Sequence, residues 1–432
     1  MSENQASPAA LKRDVGLFGA VMMGMGSIVG TGVFVSLGVG AGVAGPAVLL
    51  AVTIAAFVAT CNGLSSAQLA AAHPVSGGTY EYGYRFLNPV LGFCAGWMYL
   101  LAKSASAATA ALGFAGYLLH ALGVESSGVM VPLALGAVGV ITGIVLGGIR
   151  RSNVVNTLIV SLTLSVLAFF VFAGLPEADF SANLTPFFPP DSTVGAVLHA
   201  SALMFVAYTG YGRVATLGEE VKEPEKTIPR AVIMTLSTTL VLYLAVTVVA
   251  LGVVGAEDFA AAAGEKAAPL EIIASGYGVP GAGLILAVGA VTAMLGVLLN
   301  LVLGLSRVLF AMGRRVDMPG KLGEVSPRNQ SPTAAIVVMG MVIAALVLVG
   351  DVKATWSFSA FTVLLYYSLT NISALAMPAE LRRYPRIISV LGLVGCLGLA
   401  FWVEWIYWVA GVGLLLVGLL VRAAVKATTK SK

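Results

Sequence analysis

Gly24-Met25-Gly26-Ser27-Ile28-Val29-Gly30-Thr31-Gly32 stands inside an otherwise apolar run, residues 15–40. Four glycines in these nine residues weaken a helix by several times the roughly 1 kcal/mol that one glycine costs relative to alanine. In lipid, loosened backbone is tolerated only where it faces protein or a wet cavity. Gly26 and Gly30 also form a GxxxG pair, which taken alone reads as close helix packing. A dinucleotide-binding turn is excluded, because the glycine spacing is wrong and no strand precedes it.

A second interruption decides between packing and binding. Phe205-Val206-Ala207-Tyr208-Thr209-Gly210-Tyr211-Gly212-Arg213 puts two glycines and a cation into another apolar span. Counting apolar runs of about 20 residues gives twelve candidate helices: 15–40, 46–70, 90–119, 128–148, 153–174, 194–217, 230–254, 281–311, 333–350, 355–377, 386–403 and 405–422. The broken spans are helix 1 and helix 6, five apart. Paired breaks at corresponding positions mark an inverted repeat with a binding site between two discontinuous helices. Unwinding exposes N–H groups at a half-helix N-terminus, which favours a carboxylate. It also frees carbonyls for an ammonium group. A zwitterionic amino acid fits both ends.

Composition supports the membrane reading. The chain has 432 residues, of which 58% are hydrophobic and 10% charged, against roughly 25% charged in a soluble protein. A soluble fold, a disordered chain and a nucleic-acid binder are excluded. The net charge of +4 is no sign of a nucleic-acid partner, since excess Lys and Arg in membrane proteins collect in cytoplasmic loops. With both termini inside, 20 of the 24 Lys and Arg fall on the cytoplasmic side. The opposite loops lean acidic, with Glu177, Asp179, Asp191, Glu257 and Asp258. Both termini are therefore expected in the cytoplasm of a multi-pass plasma-membrane protein. The loop at 255–280 is expected to form short helices on the outer surface. Cys61, Cys94 and Cys396 lie in apolar stretches and read as reduced packing residues.

At this point the sequence resembles the amino acid–polyamine–organocation superfamily of transporters. GSIVGTGVF (26–34) is similar to that family's helix 1 signature, and PVSGGTYEYG (74–83) to its first cytoplasmic loop. FVAYTGYGRVATLGEEVKEPEKTIPRA (205–231) resembles helix 6 and the following loop, and SRVLFAMGR (306–314), with Pro319 after it, the end of helix 8. The resemblance implies an all-α polytopic membrane protein with twelve transmembrane helices. Helices 1–5 and 6–10 would form two inverted five-helix repeats, with helices 11 and 12 peripheral. The divisions expected are a tail at 1–14, a transport core at 15–377, peripheral helices at 378–422 and a tail at 423–432. The resemblance also implies alternating access around a central site. Thr31 and Gly32, with Gly30, would offer donors to the substrate carboxylate. Ile28 and the backbone at Val206 and Thr209 would offer carbonyls to its amine. Where some members carry a helix 5 lysine facing the helix 1 break, this chain has Thr163.

The substrate-binding candidates are thus Ser27, Ile28, Val29, Gly30, Thr31 and Gly32 on helix 1. On helix 6 they are Phe205, Val206, Ala207, Tyr208, Thr209, Gly210 and Tyr211. An ionisable residue deep in a span is a functional candidate by default. Lys103, in mid-helix 3, is the clearest case and a candidate for coupling, with Thr163 and Arg213 beside it. Arg213 could pair with Glu219 or Glu220. The helix 3 and helix 6 segments expected to face the pocket are small and apolar: Ala102, Ser104, Ala105, Ala107, Ala108, Val206 and Ala207. No acid is available there for a cationic side chain, so a neutral amino acid is favoured over arginine or a polyamine. The function read from the sequence is a secondary transporter, not an enzyme, because no nucleophile, base or acid pair faces one cavity. An amine/polyamine or amino acid exchanger of the same fold and a non-transporting amino acid sensor are the alternatives. No cofactor or metal is called for. The expected partners are a small amino acid or amine and the lipid bilayer, with a proton left open.

Overall fold

The computed structural model describes residues 15–73, 77–124, 127–147, 153–189, 193–215, 221–264, 267–326 and 331–430. Among these residues no strand forms, and one isolated bridge joins Val15 to Val221. Eight helices are long and apolar enough to cross a membrane, and three shorter apolar ones lie at Leu17–Ile28, Thr333–Val347 and Arg386–Ala400. Helix 1 is split into Leu17–Ile28 and a second half that begins with a π turn at Gly32–Ser36 and continues as Leu37–Ala44. Helices 2 to 5 follow at Val48–Ala72, Pro89–Ala121, Ser127–Leu146 and Asn153–Gly174, with a short helix Thr79–Phe86 between 2 and 3. Helix 6 runs Val194–Tyr208, turns through a 3-10 segment Thr209–Tyr211 and resumes at Gly212–Ala215. Helices 7 to 12 are Pro224–Gly264, Ala282–Arg314, Thr333–Val347, Val352–Ala376, Arg386–Ala400 and Trp405–Lys430.

Helix starts follow local chemistry. Asn88 caps helix 3 by accepting from the N–H groups of Val90 and Leu91, and Pro89 fills the first position. Asp351 caps helix 10 and Thr193 caps helix 6 in the same way. Helix 7 begins at Pro224, earlier than 230, because proline lacks only an N–H that the first turn would leave unpaired. It also runs past 254, bending at Gly255 with φ 75°, a value that suits glycine alone. Within the stretch expected to form short helices, one is present at Pro269–Ser275, with most of its residues buried.

Packing relies on small residues and interhelical hydrogen bonds, as lipid supplies no hydrophobic drive between helices. Helices 3 and 10 are joined by Ser106 to Ser359 at 2.8 Å and by Thr109 to Thr355 at 2.9 Å. Ser359 also donates to the Ala102 carbonyl at 2.9 Å. Large apolar side chains such as Phe172, Val241, Leu284, Leu348 and Leu420 point outward, as a lipid-facing surface requires. The three cysteines are free and buried.

At the end of the bundle that carries most Lys and Arg, Asp317 is fully buried. It accepts from Tyr80 Oη at 2.9 Å and from Tyr84 Oη, and pairs with Arg422 Nε at 2.8 Å and Lys426 Nζ at 3.3 Å. Burial alone would raise its carboxyl, but the bonds from Tyr84, Arg422 and Tyr80 outweigh this and hold it below the ordinary carboxylate range. The segment expected as a tail from 423 is helical through Lys430, since Arg422 and Lys426 dock on Asp317 from this helix.

Candidate functional site

The two breaks meet at the centre of the bundle. A Cβ built on Gly210 would lie 2.3 Å from the Ser27 carbonyl oxygen, so the unwound turns touch through backbone. Beside this contact is a small cavity. Helix 1 lines it with Ser27, Ile28, Thr31 and Gly32, and helix 6 with Val206, Ala207, Thr209 and Gly210. Helix 3 adds Lys103 and Ser106, helix 8 adds Val297 and Leu301, and helix 10 adds Trp356.

The donor side is formed by the second half of helix 1. Its first carbonyl, that of Gly30, accepts from Val33 and Phe34 at 3.1 Å each. The N–H groups of Thr31 and Gly32, both in the lining, precede those donors, in the turn where a helix has no internal acceptor. Thr31 Oγ1 is buried and has no partner among the described residues. Together they make a cradle for an anion.

The acceptor side differs from the sequence expectation. Tyr243, fully buried on helix 7, points its hydroxyl at the carbonyls of Ile28 and Ala207, 3.1 Å from each. The Val206 carbonyl accepts from Thr209 Oγ1 at 2.7 Å, and the Thr209 carbonyl accepts from Tyr367 at 3.1 Å. All three carbonyls expected to be offered to the amine already accept from a hydroxyl. The reason is physical: an unpaired carbonyl away from water costs several kcal/mol. Each carbonyl oxygen has a second lone pair, so capacity for an ammonium group remains.

Lys103 reaches in from helix 3 and is 8% exposed. Its ammonium donates to Thr209 Oγ1 at 2.7 Å, which in turn donates to Val206. Among the described residues Lys103 is the one ionisable side chain lining the cavity.

Other expected residues lie elsewhere. Val29, Gly30, Phe205, Tyr208 and Tyr211 are not in the lining. Gly30 faces helix 8, where an added Cβ would lie 2.6 Å from Val297 Cγ2. Phe205 and Tyr211 instead pack against Tyr367, and Tyr208 against Tyr243. Thr163 bonds its own helix at the Ile159 carbonyl. Helix 5 meets the first half of helix 1 through Asn156, which donates to the Met22 carbonyl at 2.8 Å. Arg213 stands on the short segment after the helix 6 turn, outside the lining. Glu219 and Glu220 lie outside the described residues. On helix 3 the lining comes from Lys103 and Ser106, not from Ala102, Ser104, Ala105, Ala107 or Ala108. Ser106 was legible in principle, being three residues from Lys103 on the same helical face. Val297, Leu301, Trp356 and Tyr243 carry no local signal that separates them from packing residues.

The profile of the Amino acid permease family matches residues 19–431. The chain belongs to that family. A transporter of Mycobacterium tuberculosis is 38% identical over 414 residues, covering 95% of this chain and 91% of that protein. The branched-chain amino acid permease of Bacillus subtilis is 32% identical over 356 residues, 78% of this chain and 75% of the relative. The mouse cationic amino acid transporter 4 is 29% identical over 398 residues, 87% of this chain and 61% of that protein. The permease is thus a multi-pass membrane transporter and not an enzyme, and amino acids are the substrate class of its family.

Proposed function

We propose that this permease moves zwitterionic α-amino acids without cationic side chains, neutral ones among them, across the plasma membrane by alternating access. The observation that carries the reading is the cavity at the apposed breaks. Thr31 and the first turn of the second half of helix 1 offer donors to a carboxylate, and the carbonyls of Ile28, Val206 and Ala207 offer acceptors to an amine. Among the described residues the lining contains one cation and no carboxylate, so a substrate with a second positive charge would meet Lys103 unshielded. The similarity to a branched-chain permease supports this choice; the similarity to a cationic transporter is weaker and covers less of that protein.

The test is binding and uptake. Purified permease is screened by thermal shift against alanine, leucine, methionine, arginine and putrescine, since a ligand of the folded state raises its apparent stability. Uptake into proteoliposomes then separates a transporter from a sensor. Stabilisation by putrescine or arginine, with none by the neutral amino acids, overturns the reading.

Proton coupling is a second reading, because Lys103 is the only ionisable group in the lining among the described residues and a lysine held away from water is a natural proton carrier. Wild-type uptake that is flat between about pH 5 and pH 9 removes it. Both termini are placed in the cytoplasm on the charge bias of the loops.

A further inference from the structure

Lys103 poses a charge problem that the permease reading leaves open. Its ammonium carries three donors, and among the described residues its acceptor is a single neutral hydroxyl, Thr209 Oγ1. That hydroxyl already spends its own proton on the Val206 carbonyl. The side chain is more than nine-tenths buried, and among the described residues no acid stands in the lining. A buried charge without a counter-charge is costly, and an opposite charge brought beside it repays much of that cost.

The electrostatics of the loaded cavity then depend on the substrate. A neutral zwitterion leaves one positive charge uncompensated next to Thr209. An arginine would leave two. An amino acid with a second carboxylate brings one net negative charge, and the complex of cavity and substrate becomes neutral. Its α-carboxylate already has a seat at Thr31, on the helix 1 wall. Lys103 approaches from helix 3 toward the turn of helix 6, on another wall. The second carboxylate therefore has its own cation.

We propose that Lys103 is an anion subsite, by which the permease prefers acidic amino acids to their isosteric amides. This inference rests on the permease reading and narrows it. The subsite selects by charge, so aspartate and asparagine, nearly equal in size, must differ in affinity. The Lys103 ammonium holds the side-chain carboxylate, while Ser106, one turn away, borders the same space. Neutral amino acids remain ligands through the shared α-carboxylate and amine seats.

The experiment is a competition series on purified full-length permease with L-aspartate, L-asparagine, L-glutamate and L-glutamine. Aspartate should bind tighter than asparagine, and glutamate tighter than glutamine, by roughly tenfold or more, the scale of one hydrogen bond to a charged group. In Lys103→Gln that ratio should fall to near one, with acidic ligands losing far more affinity than amides. In Lys103→Arg, which keeps the charge, the preference should persist. A wild-type ratio near one or below overturns the proposal, whether or not the variants fold. So does an undiminished preference in Lys103→Gln. Asparagine or leucine binding with no gain for aspartate removes the anion subsite and leaves the permease reading standing. Absence of binding by every α-amino acid removes the permease reading itself.

Discussion

Gly210→Ala should separate the two breaks. The new Cβ would sit 2.3 Å from the Ser27 carbonyl oxygen, where ordinary contact begins at 3.4 Å. The obstacle is backbone, and Ile28 Cγ1 stands 2.6 Å away beside it. No rotamer change relieves a clash with a carbonyl, so helix 1 and helix 6 must part by about 1 Å. Overpacking of this kind costs ~1–3 kcal/mol, and a backbone obstacle places it at the upper end. The same shift moves Ile28, Thr31 and Val206 relative to one another across the cavity. Misplacement of about 1 Å in a preorganised site lowers function by roughly a hundredfold. The assay is melting of detergent-purified protein together with uptake into proteoliposomes. Gly30→Ala is the internal comparison: its Cβ would meet a side-chain atom, Val297 Cγ2, at 2.6 Å, and backbone only at 3.9 Å, so a smaller loss is expected. A Gly210→Ala protein that melts and transports like the wild type would refute the backbone apposition of the two breaks.

Other consequences are as direct. Thr31→Val removes a buried hydroxyl that has no partner among the described residues; ligand affinity should fall by about 1.5–3 kcal/mol with little change in ligand-free melting. Asp317→Asn strips the charge that Arg422 pairs with, its side chain only 9% exposed, and should lower stability by roughly 3 kcal/mol. The pH sign follows from the depressed carboxyl. Its contribution is full above the ordinary carboxyl value and is lost as pH falls through the lower folded-state value. Wild-type melting should therefore drop on acidification below about pH 4, and the Asn variant should lack that component. Cysteines introduced at positions 222 and 426 should label only from the cytoplasm and one at 257 only from outside; labelling of 426 on intact cells refutes the orientation.

The sequence by itself determined the membrane class and the two breaks. Both are local properties: long apolar runs follow from hydropathy, and clustered glycines undo a helix wherever they fall. It also singled out Lys103, because a charge in mid-span has no local excuse. Only the tertiary structure decided which residues of each break face the cavity. Val29 and Gly30 belong to the same glycine-rich turn as Thr31, yet Gly30 is turned to Val297 on helix 8. The direction of a side chain in an unwound turn depends on its neighbours, and no helical period assigns it. The hydroxyls of Tyr243 and Tyr367 on the break carbonyls were equally hidden. A tyrosine in an apolar helix looks like packing until the carbonyl it reaches, from a helix far away in the chain, is placed beside it. The clamp at Asp317 has the same cause. It joins residues 80, 84, 317, 422 and 426, and no reading of one segment at a time brings them together.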